Sequence, residues 1–223
     1  MRTLLAVLFV VALLCLSSAV RVDAWGPTAH RVISRVAVNR LPDDVPGFVK
    51  RQIDWIGVRS VTPDSWRGAS EPFVKIDEDP NHGWFMEQFA FMTTIPRSRY
   101  EFVLALYDEY KRLEHTDPDR AALMNVRWTG TLPYAAVETY ERLKVAFRAW
   151  REAQRQRQDT AFIELDAAFY VGWLSHYVAD GAMPLHTSIH HDGWSGDNPK
   201  RYTRDGSIHL RFESAYVDQL IDE

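Results

Sequence analysis

The pair His176-x-x-x-Asp180 closes an apolar helical stripe that runs through Phe162, Leu165, Phe169 and Trp173. Residues four apart lie on one helix face, so the pattern places an imidazole and a carboxylate on the face this segment buries. A buried carboxylate without a partner is very costly. The chain must therefore fold so that other polar groups, or an ion, meet the pair. His209-x-x-x-Glu213 repeats the spacing, with Phe212, Tyr216 and Leu220 beside it. His186 follows Asp180 through Gly181-Ala182-Met183-Pro184-Leu185, a turn able to return it to the same place. His30 lies on the apolar face of the first helical segment. An i, i+4 His–acid pair is common as a surface ion pair, and a lone His30 reads equally as a satisfied core histidine. Two such pairs on apolar faces, with a third histidine between them, favour a metal ion. Imidazole and carboxylate without thiolate suit zinc in a hydrolytic site.

The rest of the chain is helical in period nearly throughout. His30, Ile33, Ala37 and Leu41 form one stripe after Gly26-Pro27-Thr28, and Pro42 stops it. Residues 45–55 predict a second, short helix. Tyr100, Val103, Leu104, Tyr107 and Tyr110 form another stripe. Pro133 suits a helix start and is followed by Tyr140, Leu143, Phe147 and Trp150. Residues 207–220 are helical again. Residues 59–84, punctuated by Pro63, Gly68, Pro72 and Pro80, read as a long ordered loop, and 181–206 as a second. Loops of that length are usually functional, and both carry histidines and acids. No alternating run reads as a strand, and there is no internal repeat or linker. The expected fold is a single all-α, multi-helix domain.

Residues 1–24 read as a secretory signal peptide. Met1-Arg2-Thr3 is a basic start, 4–15 is an apolar run, and Val22-Asp23-Ala24 offers small residues at −3 and −1 of a cleavage site. The run is short of the ~20 residues a membrane span needs. A short anchor helix is the alternative, and Ser17-Ser18-Ala19 is a competing site. Cleavage after Ala24 leaves Trp25 as the first residue of a secreted or periplasmic protein. The only cysteine, Cys15, lies in the leader, so the mature chain has neither disulfide nor thiolate cluster. A metal is then one candidate staple. A hydrophobic share of 46% with 25% charged residues excludes a disordered tail. A net charge of −4 excludes holding nucleic acid by bulk positive charge, and leaves an enzyme that meets phosphates through a few local cations.

Six elements together resemble a known superfamily. They are Trp25-Gly26-x-x-x-His30, Pro63-Asp64-x-Trp66-Arg67, Asn81-His82, His176-x-x-x-Asp180, Met183-Pro184-Leu185-His186 and His209-x-x-x-Glu213. In order and joint occurrence they resemble the trinuclear-zinc phospholipases C and single-strand-specific nucleases of the mung-bean type. The resemblance covers nearly all of the mature chain. It implies three zinc ions: one held by Asp64, His82, His176 and Asp180, and a second by His186, His209 and Glu213. The third is implied to bind the amino nitrogen and carbonyl oxygen of Trp25, with His30 and a bridging Asp180. An α-amine and its own carbonyl form a five-membered chelate, and only cleavage after Ala24 creates that amine. The chain departs from the family in places. Ala29 stands where the nucleases usually have glycine, and Glu213 is the closing ligand usual in the phospholipases. The chain also ends ten residues after Glu213, shorter than is typical.

The implied activity is hydrolysis of phosphate diesters by a zinc-bridging hydroxide, with Asp64 orienting or deprotonating the nucleophile. Single-stranded DNA or RNA is the leading substrate, with phospholipid, in a phospholipase C reaction, the alternative. A zinc-stapled protein without turnover is a reading from another class. Trp84 and Phe85 beside His82 read as a base-stacking pair or as core aromatics, and Arg67 as a phosphate contact. His190 and His191 compete with His186 as ligands. The helix-end arginines 148, 151, 155 and 157 read as a solvated face, and His115 as surface. No stable protein partner is inferred, and a monomer is expected.

Overall fold

A computed structural model of the protein describes residues 25–221. Among them the protein is all-α, and its only β pairing is an isolated bridge between Trp84 and Gly130. The helices in chain order are α1 (Pro27–Asn39), α2 (Phe48–Arg51), α3 (Ile53–Arg59), α4 (Thr62–Arg67) and α5 (Pro72–Glu78). Next come α6 (Arg99–Leu113), α7 (Pro118–Ala122), α8 (Val126–Thr129), α9 (Leu132–Arg155) and α10 (Ala161–Gly181). The last stretch is α11 (Ile208–Leu210), a π-helical turn over Arg211–Ala215, and α12 (Tyr216–Leu220). Single 3₁₀ turns cover Asp79–His82, Met86–Phe89 and Pro184–His186. The signal-peptide reading falls on residues 1–24, outside the described residues. Among the described residues no helix is long and apolar enough to cross a membrane.

The 59–84 segment corrects the expectation of a loop. Pro63, Pro72 and Pro80 each sit in the first positions of α4, α5 and the 3₁₀ turn after it. There the missing N–H costs nothing, and the fixed φ suits a helix start. The prolines that punctuate this stretch open helices instead of breaking them. The 187–207 stretch stays without helix, as expected.

α9 and α10 form a long hairpin at the centre. Arg142 stacks over Trp173, and the Trp150 indole donates to Glu164 at 3.2 Å, so the two helices run antiparallel. The main core joins Val38, Phe48, Val49, Ile56, Leu143, Ala146, Ala167 and Ala168. A second cluster gathers Phe89, Phe102, Leu106 and Tyr134, with Trp84 against it. The stripe expected of α10 is buried only at its C-terminal end, at His176 and Asp180: Phe162 is 79% exposed, while the small residues Ala167, Ala168 and Gly172 are buried. A Cβ on Gly172 would come within 2.8 Å of the Ile56 carbonyl, so close approach to α3 requires the small side chain. On α6 the aromatic stripe from Tyr100 to Tyr110 faces solvent, and Phe102, Leu106 and Leu113 face the core. Phe212, Tyr216 and Leu220 are also exposed.

Candidate metal centre

The histidines and acids singled out by spacing converge on one buried place. α1 supplies His30, α4 supplies Asp64, and the 3₁₀ turn after α5 supplies His82. The C-terminal turns of α10 supply His176 and Asp180, the following 3₁₀ turn supplies His186, and α11 with its π turn supplies His209 and Glu213. All eight are buried, and His30, His176, Asp180 and Glu213 are 0% exposed.

Three groups form, each with its ligand-type atoms within 4.8 Å of one another: His30, His176 and Asp180; Asp64, His82 and His176; and His186, His209 and Glu213. His82 Nδ1 lies 3.1 Å from both Asp180 Oδ2 and His176 Nε2. His176 Nε2 is 3.3 Å from Asp180 Oδ2 and 3.8 Å from Asp64 Oδ1. His30 Nε2 is 3.4 Å from Asp180 Oδ1, and its ring stacks on His176 at 3.9 Å. In the third group, His209 Nε2 is 2.7 Å from Glu213 Oε2 and 3.2 Å from His186 Nε2. Asp180 Oδ2 reaches toward that group as well, 3.8 Å from His186 Nδ1.

The far nitrogen of several rings is hydrogen-bonded or closely approached from outside the cluster. His176 Nδ1 rests on the Ser60 carbonyl at 2.7 Å, and His186 Nδ1 on the carbonyl of His82. His209 Nδ1 is 3.4 Å from Asp192, and His82 Nε2 is 3.2 Å from Glu78. Such partners set ring orientation and tautomer in metal sites.

Burial and mutual charge pull these groups apart. Burial, reinforced by neighbouring imidazoles, drives the His30 pKa well below the usual histidine range, so it sits as the neutral ring that binds metals. Burial also opposes charge on His176, but the carboxylates of Asp180 and Asp64 outweigh it and raise the pKa to about 9. For Asp180 burial is likewise overcome, by His176 and His186, and its pKa falls well below the carboxylate range. Burial raises Asp64. The His186 pKa is raised, Asp180 and Glu213 outweighing burial.

A metal fits this donor set. Both ring nitrogens of His30, both carboxylate oxygens of Asp64 and of Glu213, and Oδ1 of Asp180 are buried without a hydrogen bond. In an ordinary core such polar atoms are paired. Here they crowd within ion-pair distance without hydrogen-bonding, which is the arrangement of groups that share a cation. Trp25 is tied to the same place: its indole donates to the Ala179 carbonyl at 3.0 Å, and the Gly26 amide donates to the Glu213 carbonyl at 3.3 Å.

A cavity of about 210 Å³ opens onto the cluster, with His82, His186 and His209 in its wall. Arg67, Phe85, Arg127, Trp128, His191 and Asp192 line the rest. Arg67 also lies 3.3 Å from Asp79. Phe85 stacks on His191 at 4.8 Å. The two readings of the Trp84–Phe85 pair therefore divide. Phe85 lines the cavity, whereas Trp84 packs among Phe89, Phe102 and Tyr134. Neither His190 nor His191 joins a metal group; His190 stacks on Trp194 at 3.8 Å. His115 is exposed, as read from the sequence. Sequence reasoning passed over Glu78, Arg127 and Trp128, and took Asp192 only as a neighbour of His190 and His191. Glu78 alone carried a readable signal, standing four residues before His82.

Fold and site define an all-α protein with three interlocking groups of buried histidines and carboxylates able to hold metal ions. No family model, no curated protein and no solved structure matches the chain.

Proposed function

We propose that this chain is an exported zinc-dependent phosphodiesterase of the trinuclear-zinc nuclease and phospholipase C type, acting foremost on single-stranded nucleic acid. One observation carries the reading: of three metal-competent groups, two share His176 and the third is reached through Asp180, beside a cavity that presents Arg67 and Phe85. Asp64, His82, His176 and Asp180 would hold one ion, and His186, His209 and Glu213 a second. His30, Asp180 and the freed amine and carbonyl of Trp25 would hold the third. Zinc, when bound, supplies Lewis acidity toward phosphate oxygens and lowers the pKa of water to about 7.

The chain's own residues supply the rest. Asp64 accepts a proton from the attacking water at a carboxylate oxygen; neither of its oxygens is hydrogen-bonded, and burial raises its proton affinity. Arg67 offers a guanidinium to the non-bridging phosphate oxygens. The Phe85–His191 stack forms an aromatic wall against which a base can lie. Glu213 favours phospholipase C as the second reading, since that family usually closes its site with glutamate.

The test is zinc content of the chain beginning at Trp25, by elemental mass spectrometry, with single-stranded DNA hydrolysis on the same sample. Near three zincs with hydrolysis is expected. Near three zincs with phosphocholine release from lipid, and no DNA cleavage, transfers the reading to phospholipase C. Loading without turnover of any diester leaves a zinc-stapled protein. Retained hydrolysis in both His176→Ala and His186→Ala would overturn the site.

A further inference from the structure

We infer that Glu78 is a positioning residue for the metal centre: it holds the His82 ring so that Nε2 carries the proton and Nδ1 is the nitrogen offered to the ion shared with Asp64 and His176. This rests on the metal-centre reading above.

Glu78 ends α5, and His82 follows one turn later at the close of the 3₁₀ segment. The Glu78 side chain is buried, and its Oε1 lies 3.2 Å from His82 Nε2, oblique to the ring N–H. The other ring nitrogen, Nδ1, faces inward, 3.1 Å from both Asp180 Oδ2 and His176 Nε2 and 3.7 Å from Asp64 Oδ1. A neutral imidazole has one donor nitrogen and one lone pair. Two carboxylates compete for the ring proton, Asp180 at Nδ1 and Glu78 at Nε2; Glu78 draws it to Nε2, which leaves the lone pair at Nδ1 for an ion.

Glu78 is itself fixed from several elements. The Tyr177 hydroxyl on α10 donates to Oε1 at 2.6 Å, and the Asn81 amide donates to Oε2 at 3.4 Å. The Asn81 carbonyl oxygen accepts from Arg99 at 2.8 Å and from Thr131 at 2.9 Å. Arg99 forks onto Glu138 of α9 with two bonds of 2.9 Å. Among the described residues no lysine or arginine pairs with Glu78, and its two hydrogen-bond donors are neutral. The imidazole of His82 is the group at ion-pair distance. His176 and His186 lean on backbone carbonyls, which substitution does not remove; His82 leans on a side chain, which it does.

The experiment uses the chain beginning at Trp25, with Glu78→Gln and Tyr177→Phe. Zinc affinity is read by competition with a chromophoric chelator, and the His82 tautomer by ¹⁵N shifts in the zinc-free protein. Glu78→Gln should weaken one zinc by about 10–100-fold, the usual cost of losing an outer partner. It should also turn a single His82 tautomer into a mixture. Tyr177→Phe should move both readouts the same way by less, and it decides the matter if Glu78→Gln does not fold. Unchanged affinity and an unchanged tautomer, while His176→Ala still loses zinc, would overturn the inference alone. Full zinc retention in His176→Ala would overturn the metal-centre reading beneath it.

Discussion

The indole of Trp25 donates to the carbonyl of Ala179, 3.0 Å away and one residue before Asp180. That bond ties the first residue of the proposed mature chain to the helix that carries the shared carboxylate. A Cβ on Gly26 would meet the Ser214 hydroxyl at 2.8 Å, so the backbone behind Trp25 runs tightly past the π turn bearing Glu213.

On the proposed reading, this tether would make export and metal loading one event. A chain carrying a single extra alanine before Trp25 has no free amine at that position and should hold two zincs, not three. Elemental analysis of the extended and authentic chains compares them directly. Equal loading at three would remove Trp25 from the ligand set.

The metal-free protein should be most stable near pH 6–7. The pKa of His176 is raised to about 9 from an ordinary 6.5, so its stabilising contribution is complete below pH 6.5 and lost as pH climbs through 9. The shift corresponds to about 3 kcal/mol. His186 is also raised and works in the same direction. Below pH 6.5 the signs reverse. His30 and Asp180 are both lowered, so acid protonates them in the unfolded chain first and stability falls. Denaturant midpoints in excess chelator across pH 4–10 trace this curve, and His176→Gln should flatten its alkaline limb. Zinc affinity should rise over the same alkaline range, because the metal must displace the His176 proton.

Trp84 and Phe85 should separate cleanly on mutation. Trp84→Ala empties an aromatic cluster and should cost about 3 kcal/mol of stability. Phe85→Ala should leave the unfolding midpoint nearly unchanged and raise KM for single-stranded DNA with kcat little altered. Chemical denaturation and steady-state kinetics on the pair decide it. A stable Trp84→Ala with a raised KM would reverse the assignment.

Gly130 holds a backbone approach that no other residue allows. Its φ is +74°, and a Cβ there would sit 1.9 Å from the Gly83 carbonyl oxygen. Gly130→Ala should break the bridge to Trp84, loosen the backbone next to His82, and cost at least about 2 kcal/mol. Unfolding by denaturant measures it, and a loss below ~0.5 kcal/mol would show that the bridge contributes little.

The helical class, and the buried pairs His176 with Asp180 and His209 with Glu213, were legible in the sequence. Their spacing is local, and four residues along a helix fix a shared face whatever surrounds it. The buried faces were less legible. Phe162 and Tyr100 belong to good apolar stripes and yet stand exposed: α10 buries Ala167, Ala168 and Gly172 to let α3 approach closely, and α6 buries Phe102, Leu106 and Leu113. Periodicity reports which residues share a face, and packing decides which face turns inward. The prolines between 59 and 84 carried a double meaning that position within a helix alone resolves.

Local spacing is enough to dictate a helical chain whose paired histidines and acids need partners. The partners came from the tertiary structure: that Asp180 serves more than one group, that Tyr177 holds Glu78, and that Phe85 lines the cavity while Trp84 does not. Those relations join residues about a hundred or more positions apart, such as His82 with Asp180, Glu78 with Tyr177 and His30 with Asp180. Contacts of that kind are set by how helices cross, and no local spacing encodes a crossing.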